Sequence, residues 1–299
     1  MRVVFFGTPQ FAVPSLEALA HAHEVALVVA QPDKPAGRGM KLQSPAVAVR
    51  ARELGLSVAQ PAKIRDAAFL DSIAALRPDA GIVVAYGKIL PAALLSIPPR
   101  GFLNAHASLL PKYRGAAPVQ RTIEHGERET GVTIMRVDEE LDHGPMLSAV
   151  RTAIDPDEHA PSLAARLAAL GASALVAVLA TDPPEVAQDH ALATLAPKIE
   201  KSEGLVNWGE PARTIYDKFR AFDPWPGLFT PELKLIGIAP DAGRASALPG
   251  TILSIDDDGV VVAAGEGAIR LITAQRAGKP RVAAADLARG AGWRIGGAL

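Results

Sequence analysis

Short apolar runs alternating with helical patterns constrain this chain more than any other feature. Residues 3–6, 25–30 and 80–85 are continuous β-type runs, with a shorter one at 57–60. Residues 11–22, 45–54 and 66–76 read as helices, the first with Leu16 and Leu19 on one face. Strands that are apolar on both faces lie inside a sheet covered on both sides, the setting of parallel βαβ units. Such sheets bind ligands outside the carboxyl ends of their strands. The turns after Phe6, Ala30 and Ala85, and the segment near Asn104, therefore form the functional edge.

Two segments break this rhythm. Residues 31–44 are long for a βα connection and combine Pro32, Pro35, Gly37 and Gly39 with Lys34, Arg38 and Lys41. Residues 181–188 carry paired prolines that end an Ala-rich helix over 162–180. That helix contains Arg166 and Gly171 and is mostly Ala and Leu, so it reads as a packed helix and not a membrane span. The start of the chain has too short an apolar run for a secretory signal, and a soluble, cytoplasmic protein is expected. Polar residues 195–208 read as a linker, and short β runs at 250–255, 259–264 and 268–273, separated by Gly and Asp turns, suggest a small β-barrel or sandwich. The 299 residues therefore divide into a domain over 1–189, a linker over 190–207 and a second domain over 208–299.

Composition removes several chemistries. With 31 Lys and Arg against 32 Asp and Glu, the chain is not a uniformly basic nucleic-acid binder, although a local basic patch stays open. The absence of Cys removes disulfides, Cys-ligated metals and thiol catalysis. No G-x-G-x-x-G, Walker A, G-x-S-x-G or H-E-x-x-H pattern occurs, so neither a dinucleotide nor a metal is expected.

The informative stretch is Asn104-Ala105-His106-Ala107-Ser108-Leu109-Leu110-Pro111. On an extended chain Asn104, His106 and Ser108 share a face. Two readings follow: an edge strand with one solvated face, or amide donors beside an acid/base group, since His titrates near neutrality and Asn donates without changing charge. Asp142-His143-Gly144, after the β-type run 131–137, is either an ordinary turn or a carboxylate placed to orient an imidazole.

These blocks, together with Tyr113-Arg114-Gly115-Ala116-Ala117-Pro118 and Thr130-Gly131-Val132-Thr133, resemble the 10-formyltetrahydrofolate-dependent formyltransferase family. Phe6-Gly7-Thr8-Pro9, the loop over 31–39 and Arg220-Ala221-Phe222-Asp223-Pro224-Trp225-Pro226-Gly227 extend the resemblance over essentially the whole chain. It implies an α/β fold: a Rossmann-like, mostly parallel catalytic domain and a C-terminal OB-like barrel that assists tRNA binding. It makes Asn104, His106 and Asp142 the catalytic set and gives folate contacts to Ser108, Leu109, Leu110 and Pro111. Lys34, Arg38 and Lys41 in the loop, with Lys198 and Lys201 in the linker, become tRNA contacts; Arg270, Arg276, Lys279 and Arg281 are further candidates in the barrel. The implied donor is 10-formyltetrahydrofolate, without a metal, and the implied acceptor is initiator methionyl-tRNA, served by a monomer. Ala107 stands where the family often has Gly, and His143 where a smaller residue is usual.

The implied reaction passes through a tetrahedral oxyanion, with Asn104 and protonated His106 as donors and Asp142 keeping His106 charged while protons move to the leaving nitrogen. Two rivals stay in view. A small amine acceptor, such as glycinamide ribonucleotide or an amino-sugar nucleotide, needs neither the long basic loop nor the second domain. A non-enzymatic RNA-binding protein would need stacking aromatics, which are 5% of residues and absent from 250–273.

Overall fold

The apolar run at the start of the chain becomes β1 (Arg2–Gly7), buried beyond Arg2. Pro14 lies in the first turn of α1 (Val13–Ala22), where the missing N–H costs no helix hydrogen bond. In chain order there follow β2 (Glu24–Val29), β3 (Lys34–Ala36), β4 (Lys41–Gln43), α2 (Ala46–Glu53) and β5 (Val58–Ala59). Asp66 caps α3 (Ala67–Ala75) by accepting from the Ala68 N–H at 3.3 Å. Then come β6 (Ala80–Val84), α4 (Ala92–Leu95), β7 (Phe102–His106), β8 (Arg114–Gly115), α5 (Pro118–Glu124), β9 (Glu129–Arg136) and β10 (Met146–Ala153). The chain continues through α6 (Ala160–Thr181), β11 (Leu195–Ala196), α7 (Ala212–Ala221), β12 (Leu233–Asp241), β13 (Ile252–Asp256), β14 (Gly259–Ala263), β15 (Ala268–Arg276), β16 (Arg281–Ala283) and α8 (Ala284–Ala291). This computed structural model describes residues 1–36, 41–241 and 247–299, without the side chains of Ala36 and Lys41.

Contacts divide the chain into two units. The first comprises Met1–Pro118, Glu129–Ala153 and Leu163–Pro197; the second comprises Val119–Arg128, Ile154–Ser162 and Lys198–Leu299. The first unit holds a seven-stranded sheet in the order β10-β9-β7-β6-β1-β2-β5. From β7 to β5 the pairs are parallel, while β9 runs antiparallel to β7 and β10 antiparallel to β9. One face of the sheet packs a core of Val4, Phe6, Val29, Tyr86 and Phe102, with Phe6 edge-on to both aromatic neighbours. Burial raises the Tyr86 phenol to about 12, because a phenolate in this core would lose its hydration. Helix α6 is long and apolar enough to cross a membrane by length and composition, but its Leu163, Leu167, Leu175, Val178 and Leu179 are buried within the protein.

The second unit carries an antiparallel sheet in the order β12-β15-β14-β13, with β16 pairing Thr273–Gln275 of β15 beyond the stretch paired to β14. Helices α7 and α8 contact it, α8 through Ala284, Ala285 and Ala288. Neither helix is evident as a run of apolar residues. The buried stripe of α7 includes Asp217 and Arg220, which pair with each other, and that of α8 is alanine alone.

Three expectations change. The connection over 31–44 contains a two-stranded antiparallel ribbon, β3 with β4, whose three-residue strands are too short to show a period of two. Residues 190–207 are built rather than extended linker: β11 pairs in parallel with β8, and 3-10 turns cover His190–Leu192 and Lys201–Gly204. Backbone and side chains both hold this stretch: Thr194 Oγ1 accepts from the Tyr113 N–H, Glu203 pairs with Arg121, and Ile199 is buried. Finally, β7 stops at His106, so Ser108 lies in the following turn and not on the strand face.

Candidate active site

Strand β7 is an interior strand, paired to β6 on one side and β9 on the other, which excludes the solvated-edge reading of Asn104 and His106. Alternation puts both side chains on the same face at the carboxyl end of the parallel sheet. His106 is buried and Asn104 half-buried.

The turn after β7 is held from β9. Thr133, fully buried, donates its hydroxyl to the Ser108 carbonyl at 2.7 Å and accepts from the Leu110 N–H at 3.1 Å. Ser108 donates to the Lys112 carbonyl at 2.6 Å, closing the turn around the cis Leu110–Pro111 bond. Gly131 is required for the same packing: a Cβ there would lie 2.1 Å from the Val150 carbonyl oxygen and 2.6 Å from the Leu109 side chain. Ser108 is therefore a structural member of the turn, while Leu109 and Pro111 stay partly accessible on it. Ala107 is not among the positive-φ residues, so the usual Gly is not needed for backbone freedom.

The turn delivers Tyr113 with φ of 62°, and its carbonyl accepts from His106 Nε2 at 2.9 Å. A carbonyl only accepts, so Nε2 carries a proton in every state that keeps this bond. The other ring nitrogen, Nδ1, faces Asp142 Oδ2 at 3.6 Å. Asp142 also accepts from the Gly115 N–H at 2.9 Å and from Asn104 Nδ2 at 3.4 Å. Gly115 sits at φ 126°, and a Cβ there would lie 2.7 Å from the Ala196 carbonyl oxygen, so only glycine brings this N–H to the carboxylate.

The structure thus brings Asn104, His106 and Asp142 together from two separate segments. Alone, the Asp-His-Gly sequence reads more readily as an ordinary turn. His143 does not join them; it stacks on His190 with centroids 4.1 Å apart and pairs with Asp138 at 2.7 Å. What the arrangement can do chemically is aim an amide N–H and an imidazole Nδ1 at one point beside a carboxylate. It can stabilise a developing oxyanion and relay a proton there.

A cavity of about 390 Å³ is lined by Arg65, Leu70, Ile89, Leu90, Pro91 and Glu139, among others. A neighbouring one of about 290 Å³ adds Lys63 and Lys88. These residues were not singled out by sequence, where 62–65 and 87–93 carry no motif. Tyr86, which precedes the cavity wall, is fixed through its carbonyl by Thr8 at 3.0 Å and Gln31 at 3.1 Å.

The expected tRNA contacts fall in both units. Lys34, Lys198 and Lys201 are exposed, whereas Arg38 and the Lys41 side chain lie outside the described residues. Arg270 is engaged by Asp241 at 3.1 Å and Asp256 at 2.7 Å, which weakens it as a phosphate contact. Arg276, Lys279 and Arg281 are exposed around one hairpin.

Comparison with known proteins assigns a class to this chain, whose donors stand at the carboxyl end of an interior strand of an α/β unit. The family model for formyl transferase matches residues 1–179, and that for the formyl transferase C-terminal domain matches 198–292. The chain belongs to the formyl transferase family. At finer grain it is similar to the methionyl-tRNA formyltransferase of Thermus thermophilus, 46% identical over 98% of this chain and 97% of the relative. The methionyl-tRNA formyltransferase of Pseudomonas paraeruginosa is 48% identical over 96% and 95%. Among solved structures, the sugar 3N-formyl transferase WlaRD, in the presence of dTDP and 5-N-formyl-THF, shares the fold at a TM-score of 0.70 and 18% identity over 94% of this chain and 99% of its own.

Proposed function

We propose that this chain transfers the formyl group of 10-formyltetrahydrofolate to the α-amino group of methionine carried on initiator tRNA. The observation that carries the acceptor assignment is the 46% and 48% identity to methionyl-tRNA formyltransferases along almost the full length of both partners. Asn104, His106 and Asp142 are the catalytic residues. The amine attacks the formyl carbon, negative charge develops on the formyl oxygen, and Asn104 Nδ2 and protonated His106 Nδ1 donate to it. Asp142 favours the imidazolium and passes the proton lost by the attacking nitrogen toward the departing folate nitrogen.

Folate is a co-substrate in this scheme, held along the turn formed by Ser108, Leu109, Leu110 and Pro111. The larger cavity, with its apolar wall, Arg65 and Glu139, is lined by none of these four residues and carries no part of this assignment. The span 1–189 acts as catalytic domain, 190–207 joins it to 208–299, and the tRNA is held by Lys34, Arg38, Lys41, Lys198 and Lys201. The enzyme works as a monomer in the cytoplasm.

The test is a formyl-transfer assay with 10-formyltetrahydrofolate and one of three acceptors: methionyl-tRNA, glycinamide ribonucleotide or an amino-sugar nucleotide. Transfer to methionyl-tRNA at least a hundredfold faster than to either small amine is expected. Preference for a small amine overturns the acceptor assignment, and transfer to none overturns the enzymatic reading.

A further inference from the structure

Between Thr181 and Leu192 the chain is exposed or half-exposed at every position but one: Gln188 is 4% exposed. Burying one primary amide in an otherwise solvated segment is costly unless each of its polar atoms finds a partner. Here each does. Both amide protons of Gln188 have carbonyl acceptors, Asp142 O at 2.9 Å and Gly144 O at 2.7 Å. Its oxygen accepts from Arg114 Nε at 3.2 Å and Nη2 at 2.6 Å. Arg114 is itself buried, and Nη2 also reaches His190 Nδ1 at 2.8 Å.

The target of this side chain is a strained turn. Asp142 has φ of 48°, a left-handed conformation that an aspartate adopts at a cost unless its surroundings hold it there. Gln188 grips the turn by the main chain on both sides of His143. The side-chain carboxylate is fixed separately, by the Gly115 N–H. Arg114 immediately precedes Gly115 and is bonded to Gln188, so the group that orients the carboxylate and the group that sets its backbone are parts of one buried network.

From this we infer that Gln188 is a positioning residue for the proton-transfer site: through Asp142 and Gly144 it sets where the Asp142 carboxylate stands relative to His106. The inference rests on the catalytic role given to Asp142 above. Gln188 touches no reacting atom; its effect is confined to placing one that does.

The experiment is a double-mutant cycle in the full-length chain, with kcat and both KM values measured for 10-formyltetrahydrofolate and methionyl-tRNA. Gln188→Glu keeps an acceptor for Arg114, now as an ion pair, and replaces the two donors with an oxygen that faces two carbonyls. Gln188→Met removes donors and acceptor at similar volume. Displacement of a reacting group by about 1 Å can cost about a hundredfold, so kcat is expected to fall about ten- to a hundredfold with both KM values within about threefold of the parent. In the Asp142→Asn background the same substitutions are expected to lower kcat by less than about twofold, because the group they position is already gone.

If Gln188→Met does not unfold cooperatively, Gln188→Glu decides, since its ion pair with Arg114 retains that half of the buried network. Three results overturn the inference: kcat within about twofold of the parent, a loss carried mainly by KM, or the same loss in both backgrounds, which is what a purely structural residue gives. Near-normal turnover by Asp142→Asn alone would instead refute the catalytic reading. Strong loss by Asp142→Asn with none by Gln188→Glu refutes only the positioning role.

Discussion

Thr133→Val tests whether the turn after β7 is as tightly specified as its hydrogen bonds indicate. The substitution is close to isosteric and leaves β9 its β-branched residue, so it removes the hydroxyl and little else. That hydroxyl serves two backbone groups, the Ser108 carbonyl at 2.7 Å and the Leu110 N–H at 3.1 Å, and Thr133 and Ser108 are both fully buried. Leaving a buried donor or acceptor unpaired costs about 1–3 kcal/mol each. Exchanging a hydroxyl for a methyl in an apolar place returns about 1 kcal/mol. The net expectation is a loss of about 1–5 kcal/mol, and at about 2–4 °C per kcal/mol for a domain of about 150–250 residues the Tm falls by roughly 2–20 °C. Thr133→Ser is the control: it keeps both bonds, loses one methyl group and is expected to cost about 1 kcal/mol. Thermal unfolding gives both numbers, and steady-state kinetics add a second readout. Loosening this turn is expected to raise KM for 10-formyltetrahydrofolate several-fold while KM for methionyl-tRNA stays near its parent value. The reasoning is refuted if Thr133→Val is as stable as Thr133→Ser.

Other perturbations address separate parts of the molecule. Asn104→Ala is expected to unfold at close to the parent temperature and His106→Ala, which leaves the buried Tyr113 carbonyl unpaired, several degrees lower, yet both to fold and lose at least about a hundredfold in turnover, as loss of an oxyanion donor does; retention of turnover by His106→Ala removes it from the site. Gly131→Ala puts a Cβ 2.1 Å from the Val150 carbonyl oxygen and is expected to cost about 3 kcal/mol or more by breaking the β9–β10 register, read by thermal unfolding. Arg121, hydrogen-bonded to Glu203, holds that carboxyl below its ordinary 4.5. A depressed acid stabilises the fold above its unfolded pKa and stops doing so as pH falls through its folded one. Glu203→Gln is therefore expected to lower stability at pH 7, with the deficit closing under acid conditions; urea titrations followed by tryptophan fluorescence read this, since Trp208, Trp225 and Trp293 all lie in the second unit. Paired Arg38→Ala and Lys41→Ala changes are expected to raise KM for methionyl-tRNA far more than KM for folate, with the contrast shrinking as salt rises.

What could be read from the sequence follows from how local its cause is. Residues 3–6, 25–30 and 80–85 announce β1, β2 and β6 because a strand covered on both faces must be apolar throughout. The pairing of Asn104 with His106 is equally local, a consequence of strand alternation. Ser108 fails the same extrapolation because β7 ends at His106, and the hydroxyl then serves the turn through Lys112. Asp142 could be put beside them only through resemblance, since the 35 residues between it and His106 contain a strand reversal that no local pattern encodes. Helix α7 escaped notice because its buried stripe includes a paired Asp217 and Arg220, charges that read as surface until the partner is known. Gln188 gave no signal: an amide among exposed residues looks like solvent-facing loop.

The site residues lie on backbone that local preference opposes, which bears on how such a site is kept. Tyr113 and Asp142 both have left-handed φ, at a cost of roughly 1–2 kcal/mol each for a residue with a Cβ. Each is held through its main chain by a residue distant in sequence. Tyr113 donates its N–H to Thr194 Oγ1 at 2.9 Å and presents its carbonyl to His106, while the Asp142 carbonyl is taken by Gln188. Thr194 and Gln188 belong to the same stretch after α6, the one whose strand β11 pairs with β8. That stretch supplies no group to the proposed chemistry, yet it fixes the imidazole tautomer through Tyr113 and the carboxylate through Asp142. A substitution there is therefore expected to act on the rate of transfer more than on substrate binding, the reverse of what a linker reading of the same residues implies.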